Sequence, residues 1–235
     1  MPHLPQTVTT VTPAWDLPAI NETLALATPE TIVRWALAQG VRQLTSTSFG
    51  PHAAATLHLV HSLDPNSQTV WVDTGFAGES TREFARRLTN QLRLELAVYR
   101  PHIPPMTCLE QLGIRDLSAI NSQQRQRLAD ITKIEPFQRA VTDLAPQIWI
   151  SGIRAEETAF RAGLDVASWD PRGILKLSPF LRASAADMDL YLQQHGLPKG
   201  PSVFDPTKAE AHLECGLHTR NGQMQGQNRV TALQL

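Results

Sequence analysis

Two cysteines stand in 235 residues, and one of them, Cys215, lies in Glu214-Cys215-Gly216-Leu217-His218, about twenty residues before the last. A cysteine attacks as its thiolate, and with an ordinary pKa near 8.5 only a few per cent is ionised at neutral pH. Activation therefore needs positive charge. His218 and Arg220 supply it locally, Glu214 opposes it, and Gly216 gives the backbone local freedom. A buried, inert thiol is the common state of a free cysteine, but the polar surroundings argue against it here. A zinc site is weaker still, because Cys215 and His218 make two ligands and no second pair of matching spacing exists. The other cysteine, in Pro105-Met106-Thr107-Cys108-Leu109, reads as structural.

Three polar segments could receive an anion. Ser46-Thr47-Ser48-Phe49-Gly50 offers hydroxyls and backbone N–H groups before a helix, although it matches neither GxGxxG nor GxxxxGK[ST]. An ordinary Ser/Thr-rich turn is the alternative. Asp73-Thr74-Gly75-Phe76, with Glu79-Ser80 after it, allows a tight turn at Gly75, and Asp73 either holds a ribose hydroxyl or caps the next helix. Ser151-Gly152-Ile153-Arg154 continues through Glu156 and Glu157 to Arg161. Seven residues is close to two helical turns, so Arg154 and Arg161 would share a face of a helix beginning near Ala155. With Lys133, Arg139 and Lys176 they would form a cationic pocket suited to phosphate or sulfate. The alternative is a solvated face on which Arg154 pairs with Glu157.

These segments are positioned by an alternation of strands and helices. Pro29–Gln39 reads as a helix with Thr28 as N-cap and Gly40 as its stop. Residues 41–49, 68–73, 94–99, 147–151 and 174–177 read as strands; 53–62, 79–92, 135–144 and 184–195 read as helices. That order implies βαβ units, right-handed crossovers and a mainly parallel sheet. In such a sheet the ligand crevice lies beyond the carboxyl ends of the strands, where all three segments fall. Residues 101–132 are poorly patterned, and the chain turns irregular after Pro198. The organisation expected is an N-terminal arm over 1–24, an α/β domain over 25–197 and a mobile tail over 198–235 that carries Cys215.

Bulk composition removes other classes. The formal net charge of −1 argues against a nucleic-acid surface driven by overall charge. No apolar run nears the roughly 20 residues that span a bilayer, and the first residues lack the pattern of a signal peptide. A cytoplasmic enzyme with reduced thiols is expected.

Taken in order, the segments resemble those of the phosphoadenylyl-sulfate (PAPS) reductase family, the sulfonucleotide reductases. Ser46–Gly50 resembles the family's modified pyrophosphate loop. Asp73-Thr74-Gly75-Phe76 with Glu79-Ser80 resembles its DTG(Y/F)…ET segment. Lys133-Ile134-Glu135-Pro136 with Arg139 resembles KxEPxxRA, and Trp149 through Arg154 to Arg161 resembles WxxGxRxxxxxxR. Lys176-Leu177-Ser178-Pro179 resembles KxxP, and Glu214–His218 resembles the C-terminal ECGLH. The resemblance implies a Rossmann-like adenine-nucleotide α-hydrolase fold. It implies binding of PAPS by Ser46, Thr47, Ser48, Phe49, Gly50, Asp73, Thr74, Gly75, Lys133, Arg139, Gly152, Arg154, Arg161 and Lys176, with Cys215 and His218 catalytic. It also implies reduction to sulfite and adenosine 3′,5′-bisphosphate, reduced thioredoxin or glutaredoxin as electron donor, and a homodimer in sulfate assimilation. A four-iron cluster, as in the adenylyl-sulfate (APS) branch, needs more cysteines than this chain has, so no bound cofactor is expected. Two alternatives stay open: a cluster-free reductase accepting APS, and a sulfonucleotide sensor without turnover. A G-D-x-H-T/S-T/S stretch common in the family is missing: either Asp205, Thr207 and Lys208 take over some of its contacts, or substrate choice and tail docking differ.

Overall fold

A computed structural model describes residues 15–207. Six strands form one sheet: β1 (Gln43–Thr47), β2 (Gln68–Val72), β3 (Glu95–Tyr99), β4 (Ile148–Ser151), β5 (Ala167–Trp169) and β6 (Leu175–Leu177). Their spatial order is β3-β2-β1-β4-β6-β5. All neighbours run parallel except β5 against β6. Strand order reverses between β1 and β4, which puts the expected ligand crevice at their carboxyl ends.

β2 and β4 carry apolar residues on both faces because both faces are covered, while β1 between them contributes Leu44 and the buried Thr45. Side chains alternate along a strand, so Val70 and Trp149 enter one core with Leu44 and Phe137. Trp71, Ile148 and Ile150 enter the larger core on the other side. Helix α7 (Glu135–Leu144) covers the first face. The second is covered by α2 (Pro29–Ala38), α3 (Ala53–Leu63), α4 (Glu79–Leu92) and α9 (Ala185–Gln194). Capping follows the sequence: the Thr28 hydroxyl accepts from the Thr31 N–H at 3.2 Å, and Ser184 and Asp187 form a reciprocal capping box on α9.

Four expectations change. Residues 17–24 belong to a helix, α1 (Leu17–Leu24), where an arm was expected. Asp16 caps it, Ile20 and Leu24 are buried, and the Asn21 amide bonds both backbone groups of Ala167 on the edge strand. The poorly patterned stretch holds α5 (Pro105–Gln111), α6 (Ser122–Ala129) and a π-helical turn over Asp130–Ile134. Together they bury a small core of Cys108, Leu109, Ile114, Ile120 and Leu128. Cys108 is fully buried there, and burial pushes its thiol pKa up. Instead of one helix from Ala155, a 3₁₀ turn over Ala155–Glu157 is followed, after extended Thr158, by the short α8 (Ala159–Ala162). Residues 198–207, assigned to the tail, pack back on the domain. The Gly200 N–H donates to the Pro51 carbonyl at 2.9 Å, and a Cβ at Gly200 would lie 2.3 Å from the Gly50 oxygen.

Candidate active site

A cleft of about 450 Å³ opens at the carboxyl ends of β1, β2 and β4. β1 ends in Ser46 and Thr47, then the chain turns sharply because Phe49 takes a left-handed conformation (φ 53°). Its ring is fully buried, edge-on to Trp71 at 5.1 Å between centroids and to Phe84 at 6.4 Å. The turn leaves Ser48 and Gly50 on the cleft wall while Phe49 anchors the loop from below. The Ser46 hydroxyl accepts from the Trp149 indole N–H at 2.7 Å, tying the ends of β1 and β4 together.

Cations reach the cleft from two directions. Arg154 and Arg161 line it and are buried, with 7% and 6% of their surface exposed. The broken helix does bring them together, through Glu157. Arg154 Nη1 lies 3.4 Å from one Glu157 carboxylate oxygen, and Arg161 pairs with the other. Arg154 Nη2 also donates to Glu156 at 3.1 Å. Lys133 comes from the π-helical turn, an irregularity common at functional sites because it re-aims a side chain. It pairs with Asp205 and donates to the Thr207 hydroxyl at 2.7 Å. Burial opposes ionisation of Asp205, but attraction to Lys133 and the hydrogen bonds from Lys133 and Thr207 prevail, holding its carboxyl below the usual range. Each of the three cations is thus met by a carboxylate, which an incoming anion would have to displace.

The structure brings Ser46, Thr47, Ser48, Gly50, Thr74, Lys133, Gly152, Arg154 and Arg161 to the cleft lining. Five expected residues lie outside that lining. Phe49 serves the core. Asp73 is buried, receives the Gly75 N–H at 3.1 Å and pairs with Arg100 at 3.1 Å. Gly75 adopts φ 82°, and a Cβ there would sit 2.1 Å from Pro105 Cγ, so both backbone and space demand glycine. Arg139 is engaged by Glu135 and the Arg100 carbonyl. Lys176 is buried on β6 with its ammonium 5.0 Å from the Trp149 ring centroid. Cys215, His218 and Lys208 lie outside the described residues. Sequence reasoning missed His52, Thr56 and Phe204 on the lining. His52 had a signal, its place two residues after Gly50 at the start of α3; Phe204 had none, since only packing brings it over the cleft.

The model of the phosphoadenosine phosphosulfate reductase domain matches residues 42–203. A phosphoadenosine 5′-phosphosulfate reductase of a Synechococcus strain is 34% identical over 80% of this chain and 81% of its own. One from Salmonella agona is 35% identical over 86% of this chain and 95% of its own. Among solved structures, a phosphoadenylyl-sulfate reductase from Candida auris in a phosphate complex superposes with a TM-score of 0.67, at 21% identity, covering 80% of this chain and 93% of that one. A tRNA thiolase from Methanococcus maripaludis superposes at 0.55 with 13% identity over 83% of this chain and 70% of that one. These likenesses identify the adenine-nucleotide α-hydrolase type of fold. With the match spanning the sheet, the cleft loops and the π-helical turn, the chain belongs to the phosphoadenosine phosphosulfate reductase family.

Proposed function

We propose that this protein reduces 3′-phosphoadenylyl sulfate to sulfite and adenosine 3′,5′-bisphosphate, with Cys215 as nucleophile and reduced thioredoxin as electron donor. The observation that carries the reading is the convergence of the Ser46–Gly50 loop, Lys133, Arg154 and Arg161 on one cleft. Such a site suits an anionic nucleotide, because arginine forks donate paired hydrogen bonds to tetrahedral oxyanions. Family membership makes the anion a sulfonucleotide.

The chemistry balances in two displacements. The Cys215 thiolate attacks the sulfonate sulfur; an S–S bond forms, the S–O bond to phosphate breaks, and the electron pair leaves on the phosphate oxygen. Lys133, Arg154 and Arg161 hold the departing charge. A thioredoxin thiolate then attacks Cys215 Sγ, sulfite leaves with the electron pair, and the second thioredoxin thiol resolves the mixed disulfide. The two electrons come from the thioredoxin dithiol. One cysteine meets two partners in turn, which suits a residue on a tail. The reaction fits a reducing cytoplasm and sulfate assimilation, and a homodimer is proposed with it. Glutaredoxin chemistry would serve equally as donor.

The test mixes protein, PAPS and reduced thioredoxin and measures sulfite, with APS beside PAPS. Sulfite from PAPS and its loss in Cys215→Ser are expected. Sulfite release unchanged in that variant would overturn the proposed nucleophile. Greater turnover of APS would reassign the substrate, and tight nucleotide binding without sulfite would point to a sensor.

A further inference from the structure

His52 stands at the N-cap of α3, yet its side chain makes no capping bond. Its ring instead lies between two charged groups at the cleft wall. Nδ1 is 3.0 Å from Arg154 Nη1, and Nε2 is 3.0 Å from Asp189 Oδ1 on α9. A guanidinium has only donors, so Nδ1 must accept and the imidazole proton must sit on Nε2, donating to Asp189. Asp189 is held in turn by Lys199 at 2.7 Å. The Lys199 hydrogen bond and then the His52 hydrogen bond hold its carboxyl below the usual range. The Arg154 side chain is nine-tenths buried, and its Nε–H has no acceptor among the described residues. A buried donor left open carries an uncompensated desolvation penalty, which is a reason to expect a ligand oxygen there.

We propose that His52 is the positioning residue for Arg154: Asp189 selects its Nε2–H tautomer, and the free Nδ1 lone pair fixes the plane of the guanidinium that binds the sulfonucleotide. Glu156 at 3.1 Å from Nη2 and Glu157 at 3.4 Å from Nη1 also constrain this guanidinium. They come from the turn that carries Arg154, so they move with it. Among the described residues, His52 is the side-chain contact that ties the Arg154 guanidinium to a different element. A planar fork fixed at two nitrogens keeps its remaining N–H directions, and directional donation is what separates arginine from a point charge. The inference rests on the reading of the cleft as a sulfonucleotide site, but Arg154 order can be measured without substrate.

The experiment compares wild type, His52→Leu and His52→Gln. Leucine removes the acceptor; the glutamine amide restores an acceptor and a donor. In the first arm, protein carrying ¹⁵N-arginine is observed by NMR without ligand. The Arg154 side-chain signals should be slowly rotating in wild type, averaged in His52→Leu and restored in His52→Gln. In the second arm, adenosine 3′,5′-bisphosphate binding and PAPS turnover are measured. His52→Leu should raise the Kd and the KM about tenfold, the loss expected for a hydrogen bond to a charged group. His52→Gln should stay within about threefold of wild type. Unchanged Arg154 signals in His52→Leu, or equal losses in both variants, overturn the proposal, leaving only a tie between α3 and α9. Wild type that releases no sulfite overturns the functional reading instead, while the first arm still decides on His52.

Discussion

At the scale of single residues, the cleft works through direction as well as charge. Arg154 shares its two Nη groups among His52, Glu156 and Glu157. Arg154→Lys keeps the charge and loses the fork, so kcat/KM for PAPS should fall about tenfold or more with Tm nearly unchanged. Equal kcat/KM in the variant would show that charge alone suffices. Cys108 has the opposite character: fully buried, its thiol pushed towards the neutral form. Cys108→Ala should cost about 1 kcal/mol, lowering Tm by about 3 °C, with sulfite release retained. A sulfonate adduct found on Cys108 by mass spectrometry would contradict this.

At the scale of elements, the segment over 198–207 is tied at both ends. Gly200 is pressed against Gly50 beside the first loop, and Asp205 and Thr207 meet Lys133 on the π-helical turn. In the proposed site Asp205 would compete with an incoming anion for Lys133. Asp205→Asn should tighten adenosine 3′,5′-bisphosphate several-fold and speed proteolysis near residues 203–207; weaker binding would mean that Asp205 orients Lys133. The pH dependence has a definite sign. A carboxyl with a depressed folded pKa contributes stability above the ordinary aspartate range, about 3.9, and loses it as pH falls through the lower folded value. Proteolysis of this segment should therefore rise below about pH 4 in wild type and stay flat in Asp205→Asn.

Much of this scale was legible in the sequence. Thr28, Ser184, Gly40 and Gly196 mark helix ends through local chemistry that a sequence displays directly. The Val, Ile and Trp residues of β2 and β4 declare strands buried on both faces. What escaped depends on distant partners. α1 is fixed by Asn21 reaching Ala167, far along the chain. The break between Arg154 and Arg161 reflects the Thr158 cap on α8. Arg139 and Lys176 carried the right charge; the Glu135–Arg139 pair is visible in its i,i+4 spacing, but the Arg100 carbonyl and the Trp149 ring, brought in from elsewhere in the chain, are not.

At the scale of the molecule, the described residues 15–207 hold three cores and a six-stranded sheet. A protein ending at Thr207 should fold with near wild-type Tm and bind adenosine 3′,5′-bisphosphate, yet release no sulfite. Loss of folding in that variant would show that later residues complete a core. The double tethering of 198–207 also sets a length scale for the proposed chemistry. With Thr207 seated, Cys215 is about eight residues away, a leash of at most about 27 Å. Once Asp205 and Thr207 let go, the fixed point retreats to Gly200 and the leash grows to about 50 Å. A single lysine would thereby set whether the sulfur can range only over its own cleft or far enough outward to dock with a second protein.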